Sequence, residues 1–198
     1  MGKAYANKKA TTSQPEGNFY PTPKSLIWVA KDIILEEFSR DKIILEPCYG
    51  EGSISNELEK IGFSIEKHDL FKDGIDYLQL ETSLEKVITN PPFNLWDEFL
   101  TKAKTHASKI MLIGRLNYLS TKGRLSEGLW DNLKSIYCFN RYVDYRTPLR
   151  EDGLFNVGAM ATGWFVWDMS YTGEPQIRFL DVDNYAKLGN YKENDKKC

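Results

Sequence analysis

The chain has 198 residues, 41% of them hydrophobic and 27% charged, with a formal net charge of −2. That length fits one domain able to bury its own core, and the composition is that of a soluble globular protein. No apolar run reaches the roughly 20 residues of a spanning helix and no long apolar stretch opens the chain, so no membrane partner and a cytoplasmic location are expected.

Met1-Gly2 opens like an acylation site, but Ala6 stands where that motif requires Ser or Thr. Cys48, Cys138 and Cys198 are an odd, scattered set, and His68 and His106 lie far from any Cys-x-x-Cys pair, so neither a disulfide framework nor a metal site is expected. Charge is uneven along the chain. Residues 101 to 150 carry ten basic side chains against three acidic ones, a local excess of +7 that leaves −9 on the rest. Such asymmetry suits a phosphate-facing surface, because Lys and Arg displace counterions from a nucleic-acid backbone; a solvated basic helix face is the alternative.

Residues 1 to 17 are polar, lack apolar periodicity and end in Pro15-Glu16-Gly17, as a flexible tail would. The domain is expected from 18 to 183, with a polar tail from 184 to 198. Lys24 to Phe38 sets Leu26, Ile27, Ala30, Ile33, Ile34 and Phe38 on one helical stripe, started by Thr22-Pro23. Lys42 to Glu46 reads as a buried strand, and Ser53 is placed to cap a helix from about Ile54 to Lys60. Strands are then predicted at Phe63 to His68 and Lys86 to Thr89, followed by a helix from about Leu95 to Ala107. Further strands are predicted at Lys109 to Gly114, Ile136 to Val143 and Met160 to Asp168. Trp164, Phe165 and Trp167 read as packing residues of that last strand rather than as a base-stacking platform. Alternating strands and helices imply an α/β sheet covered on both faces, whose ligands sit beyond the carboxyl ends of the strands.

The segments after the strands therefore carry the chemistry. Glu46-Pro47-Cys48-Tyr49-Gly50-Glu51-Gly52 places two glycines between a strand and a helix, where the backbone turns tightly and a ligand can approach closely. Neither a P-loop lysine nor the third glycine of a dinucleotide fingerprint follows. A carboxylate ahead of the glycines suits a cationic ligand, and S-adenosylmethionine, with its ammonium and sulfonium, is one. Asp69 closes the next strand, where an acid commonly receives ribose hydroxyls, and Asp76 is a candidate partner for the adenine amine of that cofactor.

Asn90-Pro91-Pro92-Phe93 is the sharpest signal. Two prolines stop the strand and fix the carbonyl oxygens beside the Asn90 amide, which makes a rigid pair of acceptors. An exocyclic base amine is a poor nucleophile, since its lone pair is delocalised into the ring. Two acceptors on its protons favour the pyramidal nitrogen that attacks a methyl group, and Phe93 is suited to stack on a flipped base.

The pairing of Glu46-to-Gly52 with Asn90-to-Phe93 resembles the amino-methyltransferases of DNA, in particular small phage and prophage adenine methyltransferases. The resemblance covers roughly residues 18 to 170. It implies a Rossmann-like methyltransferase fold with a seven-stranded mixed sheet, S-adenosylmethionine held by Glu46, Pro47, Gly50, Gly52, Asp69 and Asp76, and catalysis by Asn90 to Phe93. Asn18 to Pro23 resembles the segment that helps hold the methionine part of the cofactor, which adds Tyr20 and Thr22. The longer members' target-recognition domain has no counterpart here, so Arg115, Lys122, Arg124, Arg146 and Arg150 become the expected contacts to DNA, with relaxed sequence preference. Transfer to cytosine, to an RNA amine or to protein glutamine stays open at this point, as does a non-catalytic nucleic-acid binder. Oligomeric state is not legible in the sequence.

Overall fold

A computed structural model describes residues 21–145 and 158–183. Tyr20, Arg146 and Arg150 lie outside the described residues, as do both predicted tails. Seven strands form one sheet: β1 (Ile44–Glu46), β2 (Ile65–Lys67), β3 (Lys86–Thr89), β4 (Lys109–Arg115), β5 (Leu133–Phe139), β6 (Thr162–Asp168) and β7 (Gln176–Leu180). Their order is β2-β1-β3-β4-β6-β5-β7. β6 runs antiparallel to both of its neighbours, and every other pairing is parallel. The sheet is thus mixed and seven-stranded, as expected.

Strand periodicity sends alternate side chains to opposite faces, and each face has its own core. On one, Ile44, Ile88, Met111, Ile113, Trp164 and Val166 meet helices α1 (Lys24–Trp28), α2 (Lys31–Glu37) and α3 (Ser55–Ile61). On the other, Leu45, Val87, Ile110, Leu112, Phe165 and Trp167 meet α4 (Trp96–Lys104). Helices therefore cover both faces, and Trp164, Phe165 and Trp167 are wholly buried as packing residues. Close approach of α4 to the sheet depends on Gly114. A Cβ there would lie 3.0 Å from the Trp96 indole, whose Nε1 donates to the Ile113 carbonyl at 2.9 Å.

Several predicted elements differ from the observed ones. The single helix expected from Lys24 to Phe38 is two short helices, broken at Val29-Ala30. Trp164 Nε1 donates to the Leu26 carbonyl at 2.9 Å, the acceptor that the Ala30 amide would use in a continuous helix, and Ala30 N–H turns instead to Ile27. The stripe survives the break, with Leu26, Ile27, Ala30, Ile34 and Phe38 all fully buried. Ser53 does not cap α3, whose N-cap position is Ile54 and has no side-chain cap. β5 begins earlier than expected, at Leu133, and Val143 forms an isolated bridge to Met160 instead. β7 was not predicted: it is an edge strand exposed on both faces, so it has no apolar alternation to read.

Candidate functional site

From β1 the chain pairs with β2 on one side and with β3 on the other, so a crevice opens at the carboxyl ends of these three strands. A cavity of about 460 Å³ occupies it, a size typical of small-ligand sites. The three strand ends supply its walls. Glu46 ends β1 and Pro47 through Glu51 follow it, Asp69 through Lys72 follow β2, and Asn90 and Pro92 follow β3. Thr22 comes from the segment leading into α1.

Gly50 and Gly52 both adopt positive φ, +54° and +77°, so the loop after β1 uses the conformation that glycine tolerates best. That turn exposes backbone to the cavity and is tied to the neighbouring strand: Gly50 N–H donates to Asp69 Oδ2 at 3.0 Å. Asp69 Oδ1 accepts from Phe71 N–H at 2.9 Å, while the Asp69 amide donates to Asp73. Asp69 is buried but lines the cavity with acceptor capacity to spare, since a carboxylate offers about four lone-pair positions.

Glu46 is a buried carboxyl at the floor of this crevice. It is 1% exposed, and its Oε2 has no hydrogen-bond partner among the described residues. Burial pushes its carboxyl up to about 7; the Ser55 hydroxyl and amide partly oppose this, and so does more distant Lys67, although Ser55 Oγ closes no hydrogen bond. A buried carboxyl with an unpaired oxygen, facing a cavity, is set to receive a donor or a cation.

The Asn-Pro-Pro-Phe segment is rigid. Asn90 Nδ2 donates to Thr22 Oγ1 at 3.1 Å, and the Asn90 carbonyl accepts from the Cys48 thiol at 3.4 Å. Pro92 closes a tight turn by accepting from Leu95 N–H, and Tyr118 donates to the Phe93 carbonyl at 3.0 Å. Asn90 and Pro92 face the cavity. Pro91 and Phe93 are buried behind it, and Phe93 is held by an edge-on Tyr145 and by the Arg115 guanidinium, 4.7 Å from its ring centre.

Thr22, Glu46, Pro47, Gly50, Asp69, Asn90 and Pro92 thus meet in one cavity, whereas Gly52, Pro91 and Phe93 are buried outside its lining. Asp76 stands outside the lining, in a turn where Leu78 N–H donates to its Oδ1; its neighbours Ile75 and Tyr77 face the cavity. Sequence reasoning missed Phe71, Tyr77 and Phe99. Phe71 is 59% exposed beside Asp69, and that exposure is invisible before folding. Tyr77 presents its ring, because its hydroxyl is 2.9 Å from His106 Nε2, while His106 Nδ1 donates to the Leu84 carbonyl. Glu51 and Lys72, both exposed at the cavity, form an ion pair between the first two loops.

Among the basic residues, Arg124 is paired with Asp97 at 2.7 Å and lies over Tyr118, while Lys122 is exposed at the start of α5 (Lys122–Ser126). No described helix is long and apolar enough to cross a membrane, and no group of three potential metal ligands occurs among the described residues.

Comparison with solved structures yields two informative likenesses. One is a protein of Vibrio vulnificus described as a modification subunit of a type I restriction enzyme, at a TM-score of 0.55 and 14% identity, over 94% of this chain and 54% of that one. The other, described as an RNA methyltransferase of Pyrococcus horikoshii, gives 0.53 and 16%, over 83% of this chain and 95% of that one. The fold is the Rossmann-like fold of methyltransferases. The chain spans about half the length of the modification subunit and nearly all of the second protein. No protein-family model and no curated protein matches the sequence.

Proposed function

We propose that the chain is an S-adenosylmethionine-dependent methyltransferase acting on an exocyclic base amine, with adenine in DNA as the target. The observation that carries the reading is the meeting, in one cavity, of a buried unpaired carboxyl at Glu46 and the Asn90 amide. The residues present fit the cofactor. Glu46 suits the cationic end, Asp69 offers acceptors to ribose hydroxyls, Gly50 and Gly52 leave backbone accessible, and Phe71 is an exposed ring for a purine face. Bound there, S-adenosylmethionine supplies a methyl group activated by positive sulfur.

The chain's own part is orientation. Asn90 Oδ1 and the Pro91 carbonyl accept the two amine hydrogens, which localises the nitrogen lone pair toward the methyl carbon. The bound cofactor would supply the methyl group, its sulfur leaving with the bonding electron pair, and these acceptors would pass the amine's surplus proton to water. Phe93 is the proposed stacking residue, and to receive a base its ring must exchange the Arg115 guanidinium for it. Exposed Lys122 is the proposed phosphate contact; Arg115 and Arg124, with Arg146 and Arg150, complete the proposed nucleic-acid surface.

An RNA base amine is the second reading, favoured by the likeness to the Pyrococcus protein across nearly its whole length. Labelled S-adenosylmethionine offered to duplex DNA, RNA and protein extract separates the two. Label in DNA, lost by at least about a hundredfold in Asn90→Ala with cofactor affinity retained, is the expected result. Label confined to RNA or protein refutes the DNA reading.

A further inference from the structure

Asn90 is held through its side-chain amide by Thr22 and through its backbone carbonyl by Cys48, residues from two other segments, which none of the motif's own roles requires. On one side its Nδ2 donates to Thr22 Oγ1 at 3.1 Å, and Thr22 is itself buried, in the segment leading into α1. On the other side the Cys48 thiol, from the turn after β1, donates to the Asn90 carbonyl at 3.4 Å and lies 2.8 Å from the hydroxyl of Thr89. Either atom of the Thr89 contact can donate; when the thiol donates to the Asn90 carbonyl, the fully buried Thr89 hydroxyl donates to sulfur. A chain of donors results: Thr89 O–H to Cys48 S–H to Asn90 C=O. Burial pushes the Cys48 thiol well above its ordinary range, so at neutral pH it keeps the proton that this chain needs.

The chemistry of an amide explains what such a clamp achieves. Oδ1 and Nδ2 are nearly the same shape, and a half-turn about the last side-chain bond exchanges them. Facing an amine, Oδ1 accepts a proton whereas Nδ2 opposes hydrogen to hydrogen, so an Asn free to turn would offer the wrong atom part of the time. In the structure Thr22 Oγ1 accepts from Nδ2, which turns Oδ1 to the other side of the amide.

We propose that Thr22 is a positioning residue that sets the rotational state of the Asn90 amide, and that Cys48, backed by Thr89, fixes the backbone from which that amide projects. The inference rests on the acceptor role of Asn90 proposed above. It assigns Thr22 a task distinct from the cofactor contact that resemblance implied, and it links the cofactor turn to the acceptor motif through Cys48.

The test compares Thr22→Val, which keeps the shape and deletes the acceptor, with Thr22→Ser, which keeps it. Thr22→Val is expected to lower kcat about tenfold or more, with the dissociation constant for S-adenosylmethionine and the Tm close to wild type; Thr22→Ser is expected to recover most of the rate. Cys48→Ala is expected to lower kcat several-fold, and Cys48→Ser, which keeps a donor, much less. Independently of activity, the Asn90 side-chain amide resonances in 15N-labelled protein are expected to shift and to lose protection from exchange in Thr22→Val alone. An unchanged amide signal in Thr22→Val overturns the clamp, and so does a loss of cofactor affinity with kcat intact. Wild-type protein that transfers methyl to no acceptor would sink the catalytic reading instead, and the resonance test would still decide whether the clamp exists.

Discussion

Replacing Glu46 by Gln should stabilise the protein and impair it together, in a pH-dependent way. The carboxyl sits at about 7 in the folded chain against an ordinary 4.5. Between those values the folded state binds more protons than the unfolded state, so stability falls as the pH rises through the window. At about 1.4 kcal/mol per pH decade across that window, the raised carboxyl costs the fold about 1 kcal/mol at pH 5, through ionisation of the unfolded chain, and about 3 kcal/mol at pH 8. Glu46→Gln removes that titration, and for a domain of this size the Tm advantage is expected to grow to roughly 6 to 12 °C at pH 8. On the proposed reading the same carboxyl is the group that receives the cationic end of the cofactor. If ligand binding keeps Glu46 ionised, affinity for S-adenosylmethionine should be about twentyfold weaker at pH 5.5 than at pH 7.5, with proton release on binding. The variant should bind roughly 10- to 100-fold more weakly at pH 7.5 and show no such pH dependence. Thermal melts from pH 5 to 8 and titration calorimetry at the two pH values measure both effects. A variant no more stable at pH 8 than at pH 5 relative to wild type, with pH-independent wild-type affinity, would refute the placement of a buried, proton-holding acid in the cavity and its proposed role toward the cofactor.

Gly163→Ala places a Cβ 2.5 Å from the Tyr137 carbonyl, a backbone atom of the paired strand, so β5 and β6 must part; a loss of about 3 kcal/mol or more in chemical denaturation is expected, and wild-type stability would contradict the strand register. Glu37→Gln leaves the Lys109 and Lys134 ammonium groups without the buried carboxylate that holds both, at 3.1 and 2.6 Å, and should cost about 2 to 3 kcal/mol in the same assay; a neutral result would mean that the partners re-pair without loss. For DNA binding, the logarithm of affinity against that of salt concentration should fall with a slope of about −2 to −4, and a slope of about −9, one phosphate for each of the ten cations, would show that the whole basic segment contacts phosphate.

The parts of the fold that were legible in the sequence are those where burial and backbone geometry agree. β3 and β4 lie between covered faces, and their apolar runs give their position almost to the residue. The turn after β1 and the turn after β3 were legible because glycine and proline restrict the backbone by covalent structure alone. What stayed hidden depends on partners distant in sequence. The break at Ala30 arises from a tryptophan 138 residues after Leu26, and β7 is held by pairing with β5 without an apolar face of its own. In the candidate site, the same distinction separates Glu46 and Asn90, which stand at strand ends, from Thr22 and Cys48, whose contacts to Asn90 span 68 and 42 residues.

The basic segment shows the same limit in its electrostatics. Counted along the chain it is +7, yet its cations are matched in space by acids from outside it. Lys109 and Lys134 share Glu37, Lys109 also holds Asp168, Arg124 holds Asp97, and Arg141 holds Asp183. Lys104 is turned inward onto the carbonyls of Gly128 and Leu129, and burial draws its ammonium below the usual lysine range. A cation already committed to a carboxylate gains little from a phosphate, because it exchanges one partner for another and releases no counterion of its own. The charge that can reach a nucleic acid is therefore much smaller than the count suggests. It centres on residues such as Lys122, on the same side of the sheet as the strand ends. On the proposed reading, a surface of that kind would orient a nucleic acid weakly and leave the choice of target to the fit of a single base in the cavity, so relaxed sequence preference is the expected outcome.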